Sequence, residues 1–120
     1  MEPFQTVSEY LGYMQSHPEI STCPIRRCLG VMGGKWKIFI VLQLFSAPAL
    51  RFGELARRVE GITNAMLSAS LRELERDGMV EREQFNEIPP HVEYSFTERG
   101  RDLMPIFYEI MRWGFKYDGK

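Results

Sequence analysis

Apolar positions along the chain recur first at helical spacing, then at strand spacing, then at helical spacing again. Val7, Tyr10, Leu11 and Met14 stand three and four residues apart and predict a short helix over Thr6–Ser16, ended by His17-Pro18. Pro24 is preorganised for a first helical position, so a second helix is expected from Cys23-Pro24 to the break at Gly33-Gly34. Lys35–Ser46 (KWKIFIVLQLFS) is apolar nearly all round and predicts a central buried helix. Phe52, Leu55, Ala56 and Val59 mark a short amphipathic helix, and Gly61 marks the turn after it. Ile62–Asp77 predicts a further helix with Thr63 as N-cap, an Ile62/Leu67 hydrophobic staple and an inward stripe of Leu67, Leu71 and Leu74. Val80–Phe85 and Val92–Phe96 read as strands of a hairpin with Pro89-Pro90 near its tip. Thr97 then caps a last helix over Glu98–Lys116.

This order predicts a mainly α fold with a small β-hairpin (α+β). A short helix, a glycine turn, a second helix and an immediate hairpin describe a winged helix-turn-helix. The expected organisation is an N-terminal arm and helix over 1–22, a core over 23–97 and a C-terminal helix over 98–120, with both terminal helices serving dimerisation. The last helix carries Phe107, Ile110, Met111 and Trp113, more apolar surface than a 120-residue monomer readily buries. Tyr10, Leu11 and Met14 are the expected companions at a homodimer interface.

The helix from Thr63 changes the picture from fold to function. With its leucines inward, the helical period turns Ala65, Ser68, Ala69, Arg72 and Arg76 outward. Small residues permit close approach to base edges, Asn64 and Ser68 can donate and accept in a major groove, and Arg72 can reach a guanine or a phosphate. Overall charge is −1, so any DNA partner must be met by a local patch. Between Arg51 and Arg82 there are six arginines and six acids, and the acids Glu73, Glu75, Asp77 and Glu81 cluster toward the far end of the helix. Arg51, Arg57 and Arg58 lie on or beside the preceding helix, and Lys35 and Lys37 are further candidates for phosphate contact. On the hairpin only Arg82 and His91 favour phosphate, while Glu83 and Glu87 oppose deep groove insertion.

Other chemistry has little support. His17 and His91 are the only histidines and lie far apart, and no Ser/His/acid order or phosphate loop is present, so no enzyme is expected. Two cysteines and two separated histidines do not make a four-ligand zinc set, and no metal or cofactor is expected. An effector pocket lined by Trp36, Phe39, Tyr108 or Trp113 is an alternative source of regulation. The apolar runs are too short to span a bilayer and the N-terminus lacks a leader pattern, so a cytoplasmic protein without a membrane partner is expected.

The chain resembles the HxlR-type family of bacterial transcriptional regulators, which are MarR-like winged-helix dimers. The resemblance rests on Cys23-Pro24, Gly34-Lys35-Trp36, Arg51-Phe52, Glu54-Leu55, Gly61-Ile62, Met66-Leu67, Leu71-Arg72-Glu73-Leu74, Asp77-Gly78 and the run PPHVEYSFTERG. It implies a homodimer with one recognition helix per subunit in a major groove. Thr63, Asn64, Ala65, Ser68 and Arg72 are then the DNA-reading positions, on an inverted-repeat operator. His91 stands where relatives often carry arginine, which weakens the wing's phosphate contact.

The remaining question is the stretch STCPIRRC. As an N-cap, Cys23 would meet free backbone N–H groups, the helix dipole and the charges of Arg26 and Arg27, all of which favour a thiolate. The resemblance places it at the position that redox- and quinone-sensing members use as a sensor for small electrophiles or oxidants. Cys28, five residues along the same helix, is out of reach for an internal disulfide and is expected to pack as a small hydrophobe. A disulfide at Cys23 would therefore cross to another molecule.

Overall fold

The computed structural model describes residues 4–16 and 24–118. They divide into two compact units, Met1–Met32 and Gly33–Lys120.

The first unit contains α1 (Val7–Ser16) and α2 (Pro24–Met32). Thr6 Oγ1 accepts the Glu9 backbone N–H at 3.1 Å, and the Glu9 carboxylate accepts from the Gln5 N–H at 2.7 Å, which together satisfy donors at the entry to α1. Phe4 packs edge-on against Tyr10 and tilted against Tyr13. α2 begins at Pro24 as expected. Cys23, its expected cap, lies outside the described residues, as does the His17-Pro18 stop. Cys28 is exposed and not packed as a small hydrophobe, because α2 turns this face to solvent together with Ile25 and Leu29.

The second unit runs α3 (Lys35–Leu44), β1 (Leu50–Arg51), α4 (Phe52–Arg58), α5 (Asn64–Arg76), β2 (Val80–Phe85), β3 (His91–Phe96), α6 (Glu98–Arg101) and α7 (Met104–Asp118). The three strands form an antiparallel sheet in the order β1-β3-β2, with Leu50 opposite Tyr94 and Arg82 opposite Tyr94 from the other side. Ile40, Val41, Leu44, Leu50, Leu55, Leu67, Leu71, Leu74, Val80 and Phe96 make the core. Among the described residues, no helix is long and apolar enough to cross a membrane.

Three sequence expectations are corrected. α3 is not buried all round: Ile40, Val41 and Leu44 face the core, but Ile38, Phe39 and Leu42 remain exposed. The hairpin gains a third strand, β1, whose two residues are too few to show alternation in the sequence. The final helix divides into α6 and α7. Pro105 has no N–H to offer the Arg101 carbonyl, and its ring would crowd that carbonyl in a continuous helix. The Leu103 N–H therefore bonds to Gly100 O at 3.1 Å, and α7 restarts with Pro105 in its first turn.

Close packing joins α6 to the sheet. Thr97 Oγ1 donates to Gly78 O at 2.6 Å and accepts the Gly100 N–H at 3.1 Å. Gly100 lies against the Met79 carbonyl and the Phe96 ring so closely that a Cβ there would overlap both.

Candidate nucleic-acid interface

Local chemistry sets the geometry of the α4–turn–α5 unit. The Arg51 N–H donates to Glu54 Oε1 at 2.9 Å at the start of α4. Gly61 turns the chain between the helices at φ +88°, a left-handed conformation that side chains other than glycine's resist. Thr63 Oγ1 then accepts the Met66 N–H at 3.1 Å, capping α5 as the sequence predicts. Leu67, Leu71 and Leu74 are fully buried, which fixes the rotation of α5 about its axis.

That rotation decides what α5 offers to solvent. Thr63, Asn64, Ala65, Ala69, Arg72 and Arg76 are exposed, and Ser68 is half-buried. Arg72 Nη1 donates to Ser68 Oγ at 3.2 Å, so the guanidinium is drawn back along the helix toward its N-terminal half. Arg51, Arg57, Arg58 and Lys35 are also exposed. Arg58 Nη1 donates to Ser46 Oγ at 3.0 Å, and the Lys35 ammonium lies 4.8 Å from the centroid of the Trp36 ring.

Lys37 does not belong to this exposed set. It is 7% exposed and its Nζ lies 3.0 Å from Glu73 Oε2 on α5, so it is turned into the protein and cannot meet a phosphate. Lys37 stands three, four and seven residues before Ile40, Val41 and Leu44, which is the spacing of the buried face of α3. That spacing was the available signal for its burial. Glu73 is correspondingly half-withdrawn, and hydrogen bonding to Lys37, followed by the Lys37 charge, holds its carboxyl below the usual 4.5.

On the wing, His91 is engaged by its own hairpin. Its ring stacks on Phe85 with centroids 4.7 Å apart, Nε2 lies 3.0 Å from Glu93 Oε2, and Nδ1 lies 3.8 Å from Glu87 Oε2. Glu93 thus engages one ring nitrogen of the residue that the sequence offers for a phosphate contact. Ile88 at the tip is entirely exposed, and Arg82 is exposed on β2.

α7 has no buried residue, and Ile110, Met111 and Trp113 are each more than half exposed. Phe107 is only half-buried and packs edge-on against Phe45 at 5.5 Å. On α1, Leu11 is exposed while Tyr10 and Met14 are partly covered. Phe39 lines one cavity with Gln43 and Arg58, and Trp113 lines another along α7 with Ile106 and Ile110. Among the described residues no cluster of His, Cys, Asp and Glu could hold a metal ion.

Two helices across a tight glycine turn, the second presenting an exposed polar face and backed by a three-stranded wing, define a winged helix-turn-helix transcriptional regulator. Residues 31–120 match the family model described as HxlR-like helix-turn-helix, and the chain belongs to that family. It is 42% identical over 107 residues to the HTH-type transcriptional regulator YdeP of Bacillus subtilis, covering 89% of this chain and 83% of that protein. Among solved structures, the redox regulator HypR in its reduced form superposes with a TM-score of 0.72 at 44% identity, covering 78% of this chain and 92% of that one. The reduced form of the transcriptional regulator YodB from B. subtilis gives a TM-score of 0.72 at 31% identity, covering 80% and 94%.

Proposed function

We propose that this regulator is a sequence-specific, homodimeric repressor that binds an inverted-repeat operator and releases it when Cys23 is modified. The observation that carries the reading is the outward face of α5. Its exposed Thr63, Asn64, Ala65 and Arg72, beside Ser68, are small or hydrogen-bonding near the helix start, with the guanidinium further along. These residues read base edges in the major groove, while Arg51, Arg58 and Lys35 hold the flanking phosphates. His91, stacked on Phe85 and within 3.0 Å of Glu93 Oε2, is left out of the proposed phosphate contacts.

Dimerisation is supported by α7, whose Ile110, Met111 and Trp113 are 56%, 56% and 65% exposed on a helix with no buried residue. Phe107 on the same helix and Tyr10, Leu11 and Met14 of α1 complete the proposed interface. Twofold symmetry then sets the two α5 helices about one DNA turn apart. Thiol control at Cys23 is supported by the similarity to HypR, a redox regulator with solved reduced and oxidised forms, and to YodB, solved after diamide treatment.

Fluorescence-anisotropy titration of reduced and diamide-treated protein against DNA upstream of its own gene tests the proposal. The expected result is tight, salt-sensitive binding by reduced protein and weakened binding after treatment, with Cys23→Ser insensitive to diamide. Lack of binding in both states overturns the repressor reading, and an equal response in Cys23→Ser overturns thiol control at Cys23.

A further inference from the structure

Among the described residues, Lys37 is the charged side chain that the core takes in, on the inward face of α3 with Ile40, Val41 and Leu44. Its ammonium reaches Glu73 Oε2 on α5 at 3.0 Å. The two ends of the pair are unequal: the lysine side chain is 9% exposed and that of Glu73 is 47% exposed. Arg76, a second cation acting on Glu73, lies 3.7 Å from Asp77 Oδ1, which leaves Lys37 as the partner at hydrogen-bond distance.

Burying an ion pair adds little to stability, because both charges lose water and an apolar side chain of similar volume serves the core about as well. What the pair adds is direction. Leu67, Leu71 and Leu74 decide which side of α5 faces inward, but apolar packing is non-directional and tolerates small rotations. Successive helical residues lie about 100° apart, so Ser68 and Arg72 fall on one flank of the leucine stripe and Glu73 on the other. A rotation that swings Ser68 and Arg72 therefore swings Glu73 as well. At a side-chain radius of about 5–6 Å, a turn of about 20° moves a tip about 2 Å, enough to break a 3.0 Å contact. Recognition side chains need placement within about 0.5 Å and 10–20°. The ion pair acts over the same angular range, which the leucines leave open.

We propose that Lys37 is a positioning residue for DNA reading: from inside the core, its ion pair with Glu73 sets the final rotation of α5 that aims Ser68 and Arg72. The effect on DNA rests on the reading of α5 as the DNA-facing helix; the hold of Lys37 on α5 does not.

Lys37→Met tests it, because methionine fills a similar volume and leaves behind a carboxylate that is half in water. Residual dipolar couplings of the 15N-labelled full chain, without DNA, should show α5 turned against α3 by more than about 10° from its native orientation. By anisotropy, affinity for DNA upstream of the gene should fall about tenfold while affinity for unrelated DNA holds, and the urea midpoint should stay or rise. In an Arg72→Gln background, where the aimed guanidinium is gone, Lys37→Met should cost at most about a further threefold. Glu73→Ala, which breaks the same pair from its half-exposed end, should give the same rotation and the same selective loss. An unchanged α5 orientation in both variants overturns the proposal. Equal weakening on both DNAs, the mark of a lost phosphate contact, overturns it too, as does a full further tenfold loss in the Arg72→Gln background. Native protein that does not discriminate between the two DNAs overturns the reading of α5 instead, and the couplings then decide whether Lys37 sets its rotation.

Discussion

Lys37 Nζ lies 3.0 Å from Glu73 Oε2, joining the buried face of α3 to the outer flank of the helix that presents Ser68 and Arg72. The pair links core packing to function, since any rotation of α5 about its axis would separate the two charges. It also predicts a pH dependence. The Glu73 carboxyl is held below 4.5, chiefly by its hydrogen bond to Lys37 and by the Lys37 charge, with a smaller lowering from Arg76 opposed by desolvation. A carboxylate with a depressed folded pKa contributes stability that is fully present above its unfolded pKa and is lost as pH falls through the folded one. Thermal melts followed by circular dichroism between about pH 6 and pH 3 should therefore decline more steeply in the native protein than in Glu73→Gln. Parallel declines would show that the pair contributes nothing to folding.

Gly100→Ala tests the contact between α6 and the sheet. The new methyl would overlap the Met79 carbonyl and the Phe96 ring, and the former is backbone that cannot rotate away. Overpacking of this kind costs about 1–3 kcal/mol. The urea midpoint should fall by a corresponding amount with the slope unchanged, whereas an unaltered midpoint would mean that α6 can slide outward without loss.

Thr63→Ala removes the side-chain acceptor for the Met66 N–H. Loss of such a cap costs about 1 kcal/mol. Stability should drop by that amount in Thr63→Ala and return in Thr63→Ser, which restores the oxygen. If Thr63 also meets DNA, the alanine variant should lose operator affinity beyond what its unfolded fraction accounts for.

Arg72 and Arg58 should separate base reading from phosphate holding. Arg72→Gln is expected to lose about 1–3 kcal/mol on the operator and much less on unrelated DNA. Arg58→Gln should weaken both DNAs alike and reduce the slope of log K against log salt by about one. Equal losses of specificity in the two variants would contradict this division.

Trp113→Glu places a charge in the exposed apolar face of α7. Sedimentation velocity should then report a monomer where a dimer is expected for the native chain, and operator affinity should fall by at least about tenfold as the second half-site is lost. Because no residue of α7 is buried in the single chain, its melting temperature under monomeric conditions should hardly move.

Much of the recognition unit was legible in the sequence because local chemistry specifies it. The Thr63 cap, the Gly61 turn and the leucine stripe each constrain α5 independently, and they agree on which face is exposed. Tertiary pairing was less visible. β1 exists because Leu50 and Arg51 meet Tyr94 and Glu93, partners more than forty positions away, and two residues carry no period of their own. The apolar length of α3 concealed that only one side of it meets the core, while the helical spacing of Lys37 with Ile40, Val41 and Leu44 did point inward. His91 looked available because its engagement depends on the hairpin bringing Phe85 and Glu87 to it.

Hydroxyl-radical footprinting on DNA upstream of the gene tests the central claim most directly, because it reads out α5 placement and dimer symmetry together. Two protected patches related by inverted sequence, centred about 10 bp or a multiple of that apart, are the predicted result, and both should vanish together in Arg72→Gln. A single patch, or two that persist unchanged in Arg72→Gln, would contradict a homodimer reading its operator through α5.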